Sequence, residues 1–331
     1  MIRLPPPVPA EAVLDLLIPG ADVIVPLANG EPTSILDAIE AAADQLEGVR
    51  IHQMHALRDR PYLHGVYGDR LRHVSYFLSH ITRPAYWEGT IDLVPNHFSE
   101  VPTLLRRSTR CTVVVAACSP PDQHGYFSLG TNADYVVDLI GRVPIFLEAT
   151  PHMPRTRGAN LVHHSQVEGW CESDRPLIEV PRSEPNDVDR AIASLVAERI
   201  PDRASVQIGI GSIASAVLDS LGGHRDLGIH TELLHDGMVD LVEAGVVTGA
   251  YKEVRRNRVV TTFCLGTRRL YDWLEDNAVV ELLGVDFVND PRVIARMRRF
   301  NSVNATTEVD LMGQCASETI GGRYWSSSGG Q

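Results

Sequence analysis

The sequence predicts an α/β fold with a mostly parallel, buried sheet, on three observations. Short β-branched runs alternate with helix-period patterns along most of the chain, the mark of βαβ units. The densest runs, 112–118 (TVVVAAC) and 143–149 (VPIFLEA), are apolar throughout, as strands covered on both faces are. The chain has 331 residues, which at roughly 150 per domain makes about two domains, large enough to bury a core without disulfide staples.

Taken in order, 22–27 (DVIVPL) reads as a strand, 34–46 as a helix with Ile35, Ile39 and Ala42 on one face, and 49–54 as a second strand. Composition shifts at 173–186 (SDRPLIEVPRSEPN), with three prolines and five charges. A helix candidate follows over 187–200, striped by Ile192, Leu195, Val196 and Ile200. The domain boundary is placed there, giving domains 1–180 and 187–331. Beyond it, 205–210 and 227–232 read as strands, 212–221 and 237–244 as helices, and 259–264, 279–283 and 285–288 as further strands. Pro291 suits the first turn of a helix holding Val293, Ile294 and Met297.

Charge and composition narrow the function. Lys and Arg number 30 against 42 Asp and Glu, a net charge of −12. An acidic surface argues against general binding to nucleic acid or anionic membranes. No apolar run approaches the ~20 residues of a membrane span. The N-terminal MIRLPPPVPAEAV has prolines where a signal peptide needs an apolar stretch. Five cysteines, an odd number without a CxxC pair, read as reduced, buried thiols of a cytoplasmic protein. The thirteen histidines include no HExxH pattern, and a regular strand would point His163 and His164 to opposite faces, so no metal is expected.

Four segments are candidates for chemistry. In QIGIGSIASAV, from Gln207, two glycines close a strand before a helix; such a turn admits a ligand to the backbone, and the helix N-terminus offers free N–H donors. It reads either as a turn without a ligand or as a dinucleotide site, with Glu232 as the ribose-binding acid about 20 residues on. In LGIHTELLHDG, Glu232 stands near the end of a strand, either solvated or functional. SPPDQHGYFSLG (119–130) is a loop after a strand and a candidate site wall. In ATPHMPRTRG (149–158), Arg155 and Arg157 are either solvated or face an anionic ligand.

Together and in this order, these segments and several others resemble the acetyl-CoA hydrolase/transferase family, nearest its 4-hydroxybutyrate and butyrate CoA-transferases. The resemblance runs from ANGEP (28–32) through SPPDQHGYFSLG, MPRTRG, IGIGSI, LGIHTELLHDGMVDLVEAG, CLGTRRLYDWLEDN, FVNDPRVIA and NATTEVDLMGQCASE to the final SGGQ. It implies two related open, mostly parallel α/β/α domains of the CoA-transferase type with the ligand between them. It implies Glu232 as the nucleophile of acyl-CoA chemistry, passing through an acyl-glutamyl anhydride to a glutamyl-CoA thioester. It assigns coenzyme A, as substrate, to Gln207, Ile208, Gly209, Ile210, Gly211, Thr307 and Gly330. The dinucleotide reading then gives way.

The implied partners are acyl-CoA and small carboxylic acids. Acyl-CoA hydrolysis and a non-catalytic CoA-binding or partner subunit are the alternatives. Two departures from the family stand out: His152 replaces the usual Asn before MPR, and the family continues well past the glycine-rich loop at 328–331. The second domain is therefore expected to be truncated, the chain being a fragment, a natural truncation or half of a split enzyme. A homo-oligomer or a chain supplying the remainder is the expected assembly.

Overall fold

The computed structural model describes residues 4–328. In its first half, β1 (Asp22–Ile24), β2 (Val49–Gln53), β3 (Leu71–Ser75), β4 (Asp92–Leu93), β5 (Val113–Cys118), β6 (Tyr126–Ser128), β7 (Ile145–Ala149), β8 (Leu161–His163) and β9 (Gly169–Glu172) follow in chain order. Seven of them form one parallel sheet, β4-β3-β2-β1-β5-β7-β9, while β6 and β8 pair antiparallel. Every residue of β5 is buried, as its unbroken apolar run requires. The helix after β1 runs Thr33–Ala41 and stops short of the expected 46 by passing into a 3-10 turn, Ala43–Gln45. The buried Glu148 of β7 caps it, its carboxylate accepting from the Ser34 and Ile35 N–H groups.

The second half adds β10 (Ser205–Ile208), β11 (Gly228–Ile229), β12 (Leu233–Leu234), β13 (Val259–Thr261), β14 (Phe263–Cys264), β15 (Val280–Leu282) and β16 (Phe300–Val303). β10 lies between β11 and β16, parallel to both. A parallel bridge from His230 to Val260 carries the ladder to β13, which pairs with β15. The resulting order, β15-β13-β11-β10-β16, repeats β4-β3-β2-β1-β5. In each half the first strand is central, the next three spread to one side, and the chain then returns to the other.

Residues 173–186 have no regular secondary structure. The helix after them, Asp187–Ala197, starts at an Asn186 cap whose partner Asp189 reaches back to the Asn186 N–H. That box turns Asp189 inward and with it Ala193, Ala197 and Ile200, so Ile192 and Leu195 of the expected stripe face solvent. Small alanines inside let this helix pack closely on helix Ser212–Ser220. Residues 285–288 form a helical turn rather than a strand, burying Val285 and Val288 three apart. No helix among the described residues is long and apolar enough to cross a membrane.

The halves are stitched together. Residues 155–159 bond to β15 and to the turn before it: the Asp276 N–H donates to the Arg155 carbonyl, Leu282 N–H to Arg157, and Ala159 N–H to Leu282, each at 2.8 Å. One apolar core cluster draws Leu233, Leu265 and Val285 from the second half into the first.

Candidate active site

In open α/β sheets, ligands settle outside the carboxyl ends of the strands where the chain reverses its direction of spread. Here there are two such points. In the first sheet it lies between β1 and β5, whose following loops are ANGEP and SPPDQHGYFSLG. In the second it lies between β10 and β16, followed by Gly209 to Gly211 and by Asn304 to Thr307. The structure therefore brings the sequence-predicted glycine turn and Thr307 to one topological position.

Within the turn the five predicted residues play different parts. Ile208 is wholly buried and Gln207 nearly so. Gln207 is committed to β16, its Oε1 accepting from Ser302 Oγ at 2.5 Å and Asn304 Nδ2 at 3.2 Å. Ile210 is exposed. Gly211 sits at φ +119°, a conformation that needs glycine, and opens helix Ser212–Ser220 without a side-chain cap. A side chain on Gly209 would meet nothing within 4 Å. Packing within the chain does not demand that glycine, and the space above its backbone is open.

Glu232 occupies a break in the neighbouring strand. The β10–β11 register pairs Val206 with Ile229, so two steps on Ile208 lies beside Thr231, whose hydroxyl reaches the Ile208 carbonyl at 3.5 Å. Between β11 and β12 the strand kinks, and the Glu232 carbonyl, freed from the β10 side, accepts from Thr262 N–H, Phe263 N–H and Thr261 Oγ1. Thr262 returns the connection to the first half: its carbonyl accepts from the Ala133 and Asp134 N–H groups. The buried Asp134 carboxylate then accepts from Leu27 N–H and Asn132 Nδ2 at the end of β1. Glu232 is thus tied through its backbone to the reversal point of both sheets.

Its side chain is half-buried. Oε2 accepts from Asn289 Nδ2 at 3.0 Å. Burial raises the carboxyl above its ordinary range, and the Asn289 bond opposes that. Asn289 follows the turn Val285–Val288, which His230 anchors by its Nε2 contact to the Val288 carbonyl at 2.8 Å. A carboxylate held partly out of water, with one fixed donor and open backbone donors nearby, is suited to nucleophilic attack on a carbonyl.

Sequence reasoning missed Asn289, although FVND was among the quoted motifs, because 285–288 read as a strand. Four residues are too few to show a period; the Asp290-Pro291 helix start marked only what comes after. Thr307 is exposed, and its hydroxyl proton is shared between the Ala316 and Thr319 carbonyls, so it braces the hairpin Glu308–Val309 with Cys315–Ala316. Gly330 lies outside the described residues.

Of the two arginines of MPRTRG, Arg155 is half-buried and Arg157 is exposed, as the solvated reading has it. Arg155 folds the 119–130 loop, donating to Ser119 Oγ, Asp122 and the Pro120 and Tyr126 carbonyls, while Arg157 pairs with Asp276 at 2.7 Å. His163 and His164 do not diverge; the strand ends at His163 and their rings lie 4.3 Å apart. Of the five cysteines, Cys118, Cys171 and Cys264 are buried, Cys111 is half-buried and Cys315 is exposed.

Residues 9–180 match the acetyl-CoA hydrolase/transferase N-terminal domain and residues 266–331 the C-terminal domain of the same name. A succinyl-CoA:cyclohexane-1-carboxylate CoA transferase of Geobacter metallireducens is 38% identical over 98% of this chain and 74% of its own length. A 4-hydroxybutyrate coenzyme A transferase of Clostridium kluyveri is 35% identical over 98% of this chain and 76% of its own. The crystal structure of RipA from Yersinia pestis superposes with a TM-score of 0.89 at 31% identity, covering 94% of this chain and 75% of that one.

Proposed function

The chain belongs to the acetyl-CoA hydrolase/transferase family, and from that premise we propose that it moves CoA between an acyl-CoA and a small carboxylic acid through a thioester on Glu232. The observation that carries this reading is the Glu232 carboxylate at the strand break, one strand from an open glycine turn. The Glu232 oxygen attacks the thioester carbonyl, and collapse of the oxyanion expels CoA thiolate and leaves a mixed anhydride. The thiolate attacks the glutamyl carbonyl, releasing the free acid and leaving glutamyl-CoA. A second carboxylate reverses these steps and departs as the new acyl-CoA. Gly209 and Gly211 suit the close backbone approach that stabilises each oxyanion, a contribution of about 3–4 kcal/mol per donor.

Gln207, Ile208, Gly209, Ile210, Gly211 and Thr307 form the CoA side of this site. The two sheets are its two domains, 1–180 and 187–331. Acetate, butyrate and 4-hydroxybutyrate are the acids to test, and the five unpaired thiols support a reducing, cytoplasmic setting.

The test is acceptor dependence. Acyl-CoA consumption should need added carboxylate and follow ping-pong kinetics. CoA release at the same rate without acceptor, with free CoA accumulating, would show hydrolysis instead. A second measurement addresses the Glu232 partner. Asn289→Ala removes a hydrogen bond to a charged group, so the rate should fall about 10–100-fold. Without that donor the carboxyl pKa rises further, so the acid limb of the pH–rate profile should move to higher pH. An unmoved limb at an undiminished rate would show the amide to be incidental.

A further inference from the structure

His230 lies two residues before Glu232 and takes no part in the chemical steps proposed for it. The ring is 1% exposed and wedged between Phe287 and Phe300, with centroids 6.4 and 6.2 Å away. Its Nε2 meets the Val288 carbonyl at 2.8 Å, and its Nδ1 has no hydrogen-bond partner. A carbonyl only accepts, so Nε2 carries the ring proton and donates it, and Nδ1 keeps an unpaired lone pair. An apolar ring would fill the same slot without burying an unpaired nitrogen, so packing does not call for a histidine here.

What that proton holds is one peptide plane. The peptide joining Val288 to Asn289 is rigid, with its C=O and N–H pointing opposite ways. His230 takes the Val288 carbonyl, and the Asn289 N–H donates to the Val285 carbonyl at 2.9 Å. Pinned at both ends, the plane fixes the direction in which the Asn289 side chain leaves the backbone. That side chain donates from Nδ2 to Glu232 Oε2 at 3.0 Å. The contacts form a closed circuit, from Glu232 back to His230, across to Val288, on to Asn289 and again to Glu232. The donor is thereby registered against the stretch of chain that carries the carboxylate. The residue before His230 is held as well: Lys252, the only lysine of the chain, is buried and donates from Nζ to the Ile229 carbonyl at 2.6 Å and the Arg258 carbonyl at 2.8 Å.

We propose that His230 is a positioning residue of the reaction, aiming the Asn289 amide at the Glu232 carboxylate through the Val288–Asn289 peptide. This rests on the reading of Glu232 as the nucleophile. Burial, followed by the Lys252 charge, pushes the His230 pKa down to about 4, so the ring stays neutral in a pH profile recorded well above that value. Lys252 itself, which burial pushes down to about 7 against the opposing Glu281 charge, is common to every variant below.

The test is a double-mutant cycle on the full chain, read as kcat, KM and the acid limb of the pH–rate profile. His230→Phe keeps the ring and removes the donor, so kcat should fall about 3–10-fold, the worth of one net hydrogen bond, with KM for acyl-CoA unchanged. Its acid limb should move to higher pH, because a misaimed amide no longer favours the Glu232 anion. His230→Gln, whose Nε2 can reach a carbonyl, should restore both. In an Asn289→Ala background His230→Phe should cost less than about twofold, since the group it aims is gone; a residue that only holds the fold would show its full cost there. A folded His230→Phe with an unmoved limb, or losses that add in the cycle, would overturn this role while Glu232→Ala stays inactive. Should His230→Phe fail to fold, the wild-type ring decides the matter: nitrogen NMR should find its proton on Nε2, and a proton on Nδ1 would overturn the role, because Nε2 could not then donate. An active Glu232→Ala would remove the nucleophile and this role with it.

Discussion

Glu232→Ala should abolish acyl exchange, by at least about 10⁴-fold, while the fold persists. The size follows from the proposed role: removing a covalent nucleophile would leave only binding and oxyanion stabilisation. The persistence follows from which part of Glu232 is structural. Its backbone carbonyl joins the strand break to Thr261, Thr262 and Phe263, and the substitution keeps that carbonyl. The side chain contributes one bond, to Asn289.

The stability consequence has a definite sign. Burial raises the Glu232 pKa in the folded state. A carboxyl so raised carries no penalty below its unfolded pKa, and its ionisation disfavours the fold as pH rises through the folded value. Glu232→Gln should therefore melt at or above the wild-type temperature at pH 7, and the gap should close on acidification. Incubation with acyl-CoA followed by borohydride should modify this side chain alone, read by mass spectrometry. Label on another residue, or an active Ala variant, would remove Glu232 from the mechanism.

Gly158→Ala should be the most damaging single methyl group for stability. Gly158 sits at φ +139°, and a Cβ there would lie 1.9 Å from the Leu282 carbonyl oxygen, backbone that cannot swing aside. The same carbonyl accepts from Ala159 N–H, while Leu282 N–H donates to Arg157. Relieving the clash means separating β15 from the first half. A cost of about 3 kcal/mol or more is expected, from strain and lost hydrogen bonds together. At roughly 2–4 °C per kcal/mol for a domain of this size, the melting temperature should drop by about 6–12 °C. Thermal unfolding by circular dichroism measures it; a shift under about 2 °C would mean that the contact between Gly158 and β15 does not hold the halves together.

Much of this arrangement was legible in the residues, and the exceptions share a cause. The apolar run of β5, the Asn186–Asp187 helix start and the strand–glycine–helix pattern at Gly209 are local signals, set by a few consecutive side chains and their backbone preferences. Where tertiary contacts choose between local options, the reading erred. The short apolar segment 285–288 reads as a strand, but Val285 packs into the first half's core while Val288 packs on Val260 and Leu283, and a turn of helix lets both be buried. Of the apolar stripe expected in 187–200, Val196 and Ile200 pack inward, but a capping box turned Ile192 and Leu195 outward and put Ala193 and Ala197 on the inner face. Arg155 carries no mark of the 119–130 loop that it clamps.

Hydrophobic period, turn residues and ordered motifs are written along the chain, and they suffice for the parallel α/β class, the family and the candidate nucleophile. That Gly209 faces open space and that Asn289 holds Glu232 emerge only from the folded chain. Those facts depend on groups from separate strands and turns meeting in three dimensions, where burial and hydrogen-bond geometry, rather than spacing along the chain, set what each side chain can do.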